Sequence, residues 1–481
     1  MLVKRVVLTV GVAALVLGLA ACPTDVDLGH IDETPSLSVV WGDYFPMGNI
    51  VAFQHHRRPG DIGNSARWAL LRRHFDILTA EDEMKPDHIQ ASRGSFTWAR
   101  GDRIVNETLR YGMRMHGHTL AWHSQSPWWM NQTSSGGGPI ARDQAIDNLV
   151  THIERVMRHF GPRVESWDVL NEIFASGGGP AVVGGNWRNN LRTFPGPPPG
   201  SPPGTFGPQG PGTPWARAIG TFPHDTHDPN RYCYIWIAFT TARRVADEID
   251  TQAGRPLGTT ILYYNDYNEE LPNKRAAIFY MVQEMNQRFA AQNNGRRLID
   301  AIGMQAHYHR AAILELGESN QRPSDHNNQW PVQYPWATNI ANVRASLWRF
   351  AELDVSISIT ELDITVGNTQ VGNFTPVHER EQAIMYARLF QIFREFADAH
   401  PDRLRRVTFW GIDDPGSWRF RGSPHLWDGR LRPKEAFWAV AAPDAFVNPE
   451  NGQTRSAAEI NAFLADPRAS GFIPENAWGP R

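Results

Sequence analysis

Two glutamates, Glu172 and Glu361, occupy similar places in two apolar stretches of the sequence. Glu172 follows residues 167–171 and precedes a glycine-rich loop, and Glu361 follows the alternating residues 357–360. Both stretches predict β-strands that end at a carboxylate. Two strand-end carboxylates could supply acid/base or nucleophilic chemistry on a sugar.

A single glutamate after a strand is most often a solvated residue without a chemical role. That interpretation fits these two less well, because Asn171 precedes Glu172 and Asp363 follows Glu361 by two residues. Strands seldom carry such side chains. If the two glutamates act together, the fold must bring two strand ends that are distant in sequence close together.

Composition limits the possible partners. The chain has 481 residues with 41% hydrophobic content, so it can bury a large core. Its net charge of -3 gives no electrostatic reason to expect nucleic acid as a partner. Its 18 tryptophans are numerous, and flat apolar rings stack well on sugar rings, although most of them should belong to the core. A neutral partner such as a polysaccharide is expected.

The N-terminal residues predict export and a lipid anchor. Lys4 and Arg5 precede an apolar run over residues 6–19 that is too short to span a membrane, as in a signal peptide. The following Leu19-Ala20-Ala21-Cys22 resembles the lipobox of bacterial lipoproteins. We expect a lipoprotein signal peptide over residues 1–21, a lipidated Cys22, a tether over 22–36 and a membrane-anchored protein at the cell surface or in the periplasm. An ordinary signal peptide with an incidental cysteine is the alternative.

Apolar strands alternate with helices along the rest of the chain, and this predicts the α/β class with a single (β/α)8 TIM barrel over residues 37–442. Residues 195–214 are rich in proline and glycine and predict an insertion after strand 4. Residues 443–481 form a C-terminal extension without an assigned role. The predicted strands are 49–54, 75–80, 114–119, 167–171, 260–264, 301–305, 357–361 and 404–410.

A barrel brings together residues that follow the carboxyl ends of different strands. The unusual polar and aromatic residues of the sequence sort in this way, one or two after each strand from the second onward. They are Lys85, His118, Trp122, Glu172, Asn265, Gln305, His307, Glu361, Asp363, Trp418 and Arg419. A zinc site at His116, His118 and His123 is a weaker interpretation, since neither an HExxH motif nor a suitably placed cysteine accompanies them. We expect no metal and no cofactor.

Four motifs together resemble the family-ten glycoside hydrolases, at residues 116–125, 167–174, 359–364 and 410–419. The resemblance extends over about residues 37–440. It implies an endo-1,4-β-xylanase, expected to be a monomer, that retains the anomeric configuration. Glu361 would be the nucleophile and Glu172 the general acid and then the general base. Retention requires carboxyl groups about 5 to 5.5 Å apart, and this separation cannot be measured in a sequence.

The same resemblance implies the sugar-binding residues. Asn171 would bind the 2-hydroxyl group, His307 and Asp363 would hold the nucleophile, and Trp410 and Trp418 would cover the sugar beside the cleaved bond. Glu81, Lys85, His118, Trp122 and Gln305 would line sites on the non-reducing side. The chain departs from the family pattern at three places, with Asp82 for Asn, Trp427 for Phe and Glu435 for Pro.

Two other functions remain compatible with the sequence. One is a hydrolase of β-1,4-glucans or aryl glycosides on the same fold, because the catalytic residues do not contact the C6 position of the sugar. The other is a lipoprotein that captures xylo-oligosaccharides without cleaving them. Intact Glu172 and Glu361 argue against mere capture.

Overall fold

The computed structural model describes most of the chain outside its N-terminal segment. The predicted signal peptide, Cys22 and most of the predicted proline-rich insertion lie outside the described residues. Among the described helices, none has the length and hydrophobicity of a membrane-spanning segment. The described residues are 33–55, 58–192, 213–220, 234–310, 340–366 and 374–479.

Eight parallel strands close into a barrel, in which each strand pairs with its neighbours in chain order and the first pairs with the last. Strands covered on both faces are apolar throughout, which explains their near-continuous hydrophobic runs. The predicted (β/α)8 barrel is confirmed. Its strands are β1 (Met47–Val51), β2 (Ile77–Ala80), β3 (Arg114–Gly117), β4 (Ser166–Asn171), β5 (Ile261–Asp266), β6 (Ala301–Met304), β7 (Ser356–Thr365) and β8 (Leu404–Phe409).

Helices follow the strands and cover the barrel. Their starts carry local signals, for example Asn64, whose side chain accepts a hydrogen bond from Arg67 N at 3.1 Å. The described helices are α1 (Leu37–Trp41), α2 (Ser65–His74), α3 (Pro86–Ile89), α4 (Ala99–Arg110), α5 (Arg142–Phe160), α6 (Pro214–Ile219), α7 (Tyr234–Gln252), α8 (Pro272–Ala290), α9 (Ile340–Ala351), α10 (Pro376–Ala399), α11 (Glu435–Ala441) and α12 (Ala457–Ala465).

Strand β7 differs from its prediction in a way that matters for the site. The sequence predicted a strand that ends at Glu361, but β7 extends to Thr365, so Glu361 lies within the strand. The added residues pair in parallel with a short strand, His307–His309, that follows β6. This second pairing keeps residues 363–365 extended after the barrel register is complete.

Residues 443–479 pack onto the barrel. Phe446, Ile460 and Phe463 are buried in the same hydrophobic cluster as the barrel helices. The end of the segment also contacts the start of the described chain, where Ser36 N donates to Ala477 O at 2.8 Å. The extension therefore contributes to the main hydrophobic core.

Candidate active site

Glu172 is placed by the end of β4. The strand is buried along its length, and Glu172 follows it with a φ of 57° while its backbone N donates to Asn265 O at 2.9 Å. This left-handed conformation is uncommon for a residue with a side chain and ends the strand abruptly. Its carboxylate accepts hydrogen bonds from Trp122 Nε1 at 3.0 Å and from Gln305 Nε2 at 3.0 Å.

Glu361 lies in β7 with both carboxylate oxygens engaged. Asn265 Nδ2 donates to Oε1 at 2.8 Å, and His307 Nε2 lies 3.1 Å from Oε2. Asn265 can approach because residue 303 on the adjacent β6 is glycine, and a Cβ there would lie 2.3 Å from Asn265 Oδ1. The side chain of Glu361 is therefore held from two neighbouring parts of the barrel.

His307 joins Glu361 to Asp363. Its Nδ1 lies 3.0 Å from Asp363 Oδ2, and Arg419 forms an ion pair with the other oxygen of Asp363. Burial by itself lowers the pKa of His307. Asp363 and Glu361 outweigh burial through their negative charges and their hydrogen bonds to the ring, and they raise that pKa to about 10. His307 is therefore an imidazolium that holds two carboxylates.

A short chain of amides connects the two glutamates. Asn171 Oδ1 accepts from Asn265 Nδ2 at 3.1 Å and from Gln305 Nε2 at 3.1 Å. Since Asn265 also contacts Glu361 and Gln305 also contacts Glu172, side chains from β4, β5, β7 and the end of β6 form one continuous network. The barrel thus brings the predicted carboxylate pair to one site.

The surroundings of Glu172 favour its protonated form. Burial raises the pKa of Glu172 above its usual value, and the charges of Asp266 and Glu361 raise it further, against the opposite effect of Gln305 and Arg192. Arg192 Nη2 lies 3.7 Å from Glu172 Oε2. A buried carboxyl group with a raised pKa can retain a proton and donate it to a leaving group.

Lys85 lies beside Glu172 across an aromatic ring. Its Nζ lies 5.4 Å from the centre of the Trp122 ring and donates to Asp82 Oδ1 and to Gln125 Oε1, each at 2.7 Å. Burial by itself raises the pKa of Asp82. The charge of Lys85 and its hydrogen bond outweigh burial and hold that pKa below its usual value. Asp82, one of the departures from the family pattern, therefore balances the charge of Lys85.

The other predicted sugar-binding residues surround the same network. His118 is buried, bonds Asp168 Oδ2 through Nδ1 at 2.8 Å and contacts the Trp410 ring at a centroid distance of 5.3 Å. Trp418 is 50% exposed, and its ring centre lies 5.2 Å from that of His307. Glu81 is buried beside His55. An exposed indole next to the residue that holds Glu361 offers a stacking surface.

The three histidines considered as zinc ligands have other partners. His116 and His118 both face Asp168, whereas His123 Nε2 lies 3.9 Å from Glu172 Oε2. Burial and the nearby Arg192 lower the pKa of His123 to about 3, so it is neutral. Across the described ranges, no cluster of three or more His, Cys, Asp or Glu residues is arranged to hold a metal ion.

Sequence reasoning missed several members of the site. Arg192 lies 20 residues after Glu172 in an irregular stretch without a motif, and Asp168 lies inside a recognised motif but had no assigned role. His55 belongs to a run of basic residues that suggests a solvated loop. Asn265 was placed after strand 5, but the contact that joins it to Glu361 depends on the glycine of the adjacent strand.

This arrangement defines a barrel with a carboxylate pair at the carboxyl ends of its strands, the place where such barrels hold their active sites. The model of Glycosyl hydrolase family 10 matches residues 42–443, and the chain belongs to this family. The named relatives and solved structures that are similar to the chain agree with this membership.

Among those relatives, the chain is 29% identical over 425 residues to "Exoglucanase XynX" of Acetivibrio thermocellus. This alignment covers 86% of this chain and 30% of the relative. It is 29% identical to "Endo-1,4-beta-xylanase" of Geobacillus stearothermophilus, with 84% of this chain and 98% of the relative covered. The chain thus spans about a third of the length of some relatives and nearly all of others. The crystal structure of xylanase XynB from Paenibacillus barcinonensis has a TM-score of 0.60 at 25% identity, covering 85% of this chain and 98% of that one.

Proposed function

We propose that the chain is an endo-1,4-β-xylanase that cleaves internal bonds of xylan by a retaining double displacement. Glu361 is the nucleophile, and Glu172 is the acid and then the base. The proposal rests on the different surroundings of two glutamates that belong to one hydrogen-bond network. Glu361 is held by an imidazolium and an amide, while burial and negative neighbours raise the pKa of Glu172.

In the first step, a Glu361 oxygen bonds to the anomeric carbon while Glu172 transfers its proton to the departing glycosidic oxygen. His307 and Asn265 hold Glu361 throughout, so little reorganisation is needed at the moment of attack. The product of this step is a glycosyl ester on Glu361 and a free shortened chain.

In the second step, Glu172 acts as the base. Esterification removes the charge of Glu361, which is one of the charges that raise the pKa of Glu172. The ionised Glu172 then takes a proton from water as the water oxygen attacks the anomeric carbon and the ester bond to Glu361 breaks. Both glutamates return to their initial protonation states, and the anomeric configuration is retained.

The choice of xylan rests on the family and on the lining of the site. Similar proteins carry the name endo-1,4-β-xylanase, including one that this chain covers almost completely. On the non-reducing side we assign the sugar contacts to Glu81, Lys85, His118, Trp122 and Gln305. Asn171 would bind the 2-hydroxyl group, and Trp410 and Trp418 would cover the sugar beside the cleaved bond.

Release of reducing ends tests the proposal. The full chain is incubated with unsubstituted xylan and, separately, with soluble cellulose, beside Glu172→Ala and Glu361→Ala variants whose folding is checked by circular dichroism. We expect cleavage of xylan by the wild type only. Cleavage of cellulose in preference to xylan would indicate a β-glucan hydrolase, and binding of xylan without release of ends would indicate a capture protein.

We further propose that the protein is exported and anchored through a lipid on Cys22, a residue outside the described part of the chain. The support is the basic start, the apolar run and the Leu-Ala-Ala-Cys sequence at residues 19–22. Labelled fatty acid supplied to bacteria that express the chain should enter the wild-type protein. A Cys22→Ala variant that is still labelled would contradict the proposal.

A further inference from the structure

The loop after β1 places a histidine against a predicted sugar-binding residue. His55 lies in a short antiparallel pairing of Gln54–His55 with Arg58–Pro59 and is 2% exposed. Its Nδ1 lies 2.8 Å from Glu81 Oε2, and its Nε2 lies 3.0 Å from both oxygens of Asp61. Both ring nitrogens therefore face carboxylates.

This contact belongs to a buried series of alternating charges. Arg67 Nε donates to Asp61 Oδ1 at 2.6 Å, and the Arg67 guanidinium also contacts Asp413 Oδ1 at 3.1 and 3.2 Å. The backbone N of Ala52 donates to the other oxygen of Asp61 at 3.0 Å. The series begins at Glu81 and fixes the loops after β1, β2 and β8 to one another.

His55 is protonated in this setting. A carboxylate only accepts hydrogen bonds, so two carboxylate partners require both ring nitrogens to carry protons. Burial by itself lowers the pKa of His55. The negative charges of Asp61 and Glu81, and their hydrogen bonds to the ring, outweigh burial and raise that pKa to about 9. In return, burial raises the pKa of Glu81, and the hydrogen bond and charge of His55 oppose that rise.

Glu81 is linked to Glu172 through two intervening side chains. Trp122 contacts Glu172, the Lys85 ammonium lies over the Trp122 ring, and the charge of Lys85 acts on Glu81. Lys85 and Trp122 thus connect Glu81 to Glu172. The proposed function assigns Glu81 to the non-reducing side, and we place the sugar that it binds next to the sugar that is attacked.

We propose that His55 is a positioning residue that holds the Glu81 carboxylate in place and in its charged form for binding the second sugar on the non-reducing side. The inference rests on the proposed function and adds a residue outside the sugar contacts assigned above. His55 acts through Glu81 and does not contact the substrate. Loss of His55 should lower kcat/KM for substrates that reach Glu81 and leave kcat/KM nearly unchanged for substrates that do not.

Two chromogenic substrates separate these cases. The 4-nitrophenyl β-xylobioside places a second sugar near Glu81, whereas the 4-nitrophenyl β-xyloside carries only the sugar that is attacked. His55→Gln should lower kcat/KM for the xylobioside about tenfold and for the xyloside less than about twofold, because a buried charged acceptor loses its partner. The matched control is His152→Gln, which removes a buried histidine that contacts Gln90 and should leave the ratio between the substrates unchanged.

A double-mutant cycle tests whether the effect passes through Glu81. In a Glu81→Ala background, His55→Gln should cause no further loss on the xylobioside. Additive losses, or equal losses on both substrates, would overturn the inference. Should His55→Gln fail to fold, Asp61→Asn removes the other carboxylate partner and should give the same substrate-selective loss, and an unselective loss would overturn the inference. If the wild type cleaves neither these substrates nor xylan, the proposed function fails and this inference with it.

Discussion

Replacing His307 tests the charge state on which the site depends. His307→Gln removes an imidazolium whose side chain is 14% exposed and whose partners are Glu361 and Asp363. The pKa of His307 rises from 6.5 to about 10 on folding, so its contribution to stability is fully present below pH 6.5 and is lost as pH rises through 10. The free energy involved is about 5 kcal/mol near pH 6, about 3 kcal/mol near pH 8 and less than about 1 kcal/mol near pH 10.

Urea unfolding measured at several pH values supplies the assay. The difference in unfolding free energy between wild type and His307→Gln should shrink by a few kcal/mol between pH 7 and pH 10. The control is His152→Gln, since burial lowers the pKa of His152 to about 3 and its charge does not change between pH 7 and pH 10. A difference for His307→Gln that stays constant over this range would refute a charged His307.

Three further outcomes are expected. Glu172→Ala should lower kcat on xylan by about 10²- to 10⁴-fold but much less on an aryl xyloside whose leaving group needs no proton, as kinetics on both substrates would show. Asp82→Asn should raise the net charge beside Lys85 and change KM for xylobiosides more than kcat, and an unchanged KM would contradict the assigned role. Truncation after Ala442 removes the buried Phe446 and Phe463 and should lower Tm markedly, since each such side chain contributes about 1.5 to 3 kcal/mol.

Much of the fold could be predicted because each strand has a local signal. Parallel barrel strands are covered on both faces, and their apolar runs mark the sequence at regular intervals. The length of β7 could not be predicted in this way. Its extension to Thr365 depends on pairing with His307–His309, a contact between segments more than 50 residues apart that no local pattern encodes.

The candidate site was predictable where residues follow strands and less so where loops converge. That Glu172, Glu361 and His307 lie close together could be predicted because strand ends meet at one side of a barrel. His55 lies in a two-residue strand of a loop and Arg192 in an irregular segment, and their contacts with Glu81 and Glu172 follow from how those loops pack. Loop packing depends on the whole barrel, so residue type alone gave no signal.

Covalent labelling identifies which glutamate is the nucleophile. The full chain is treated with dinitrophenyl 2-deoxy-2-fluoro-β-xylobioside, which slows breakdown of a glycosyl ester more than its formation, and the digested protein is analysed by mass spectrometry. We expect one added fluoroxylobiosyl group, on the peptide that contains Glu361. Attachment to the Glu172 peptide would contradict the assignment of the two carboxylates.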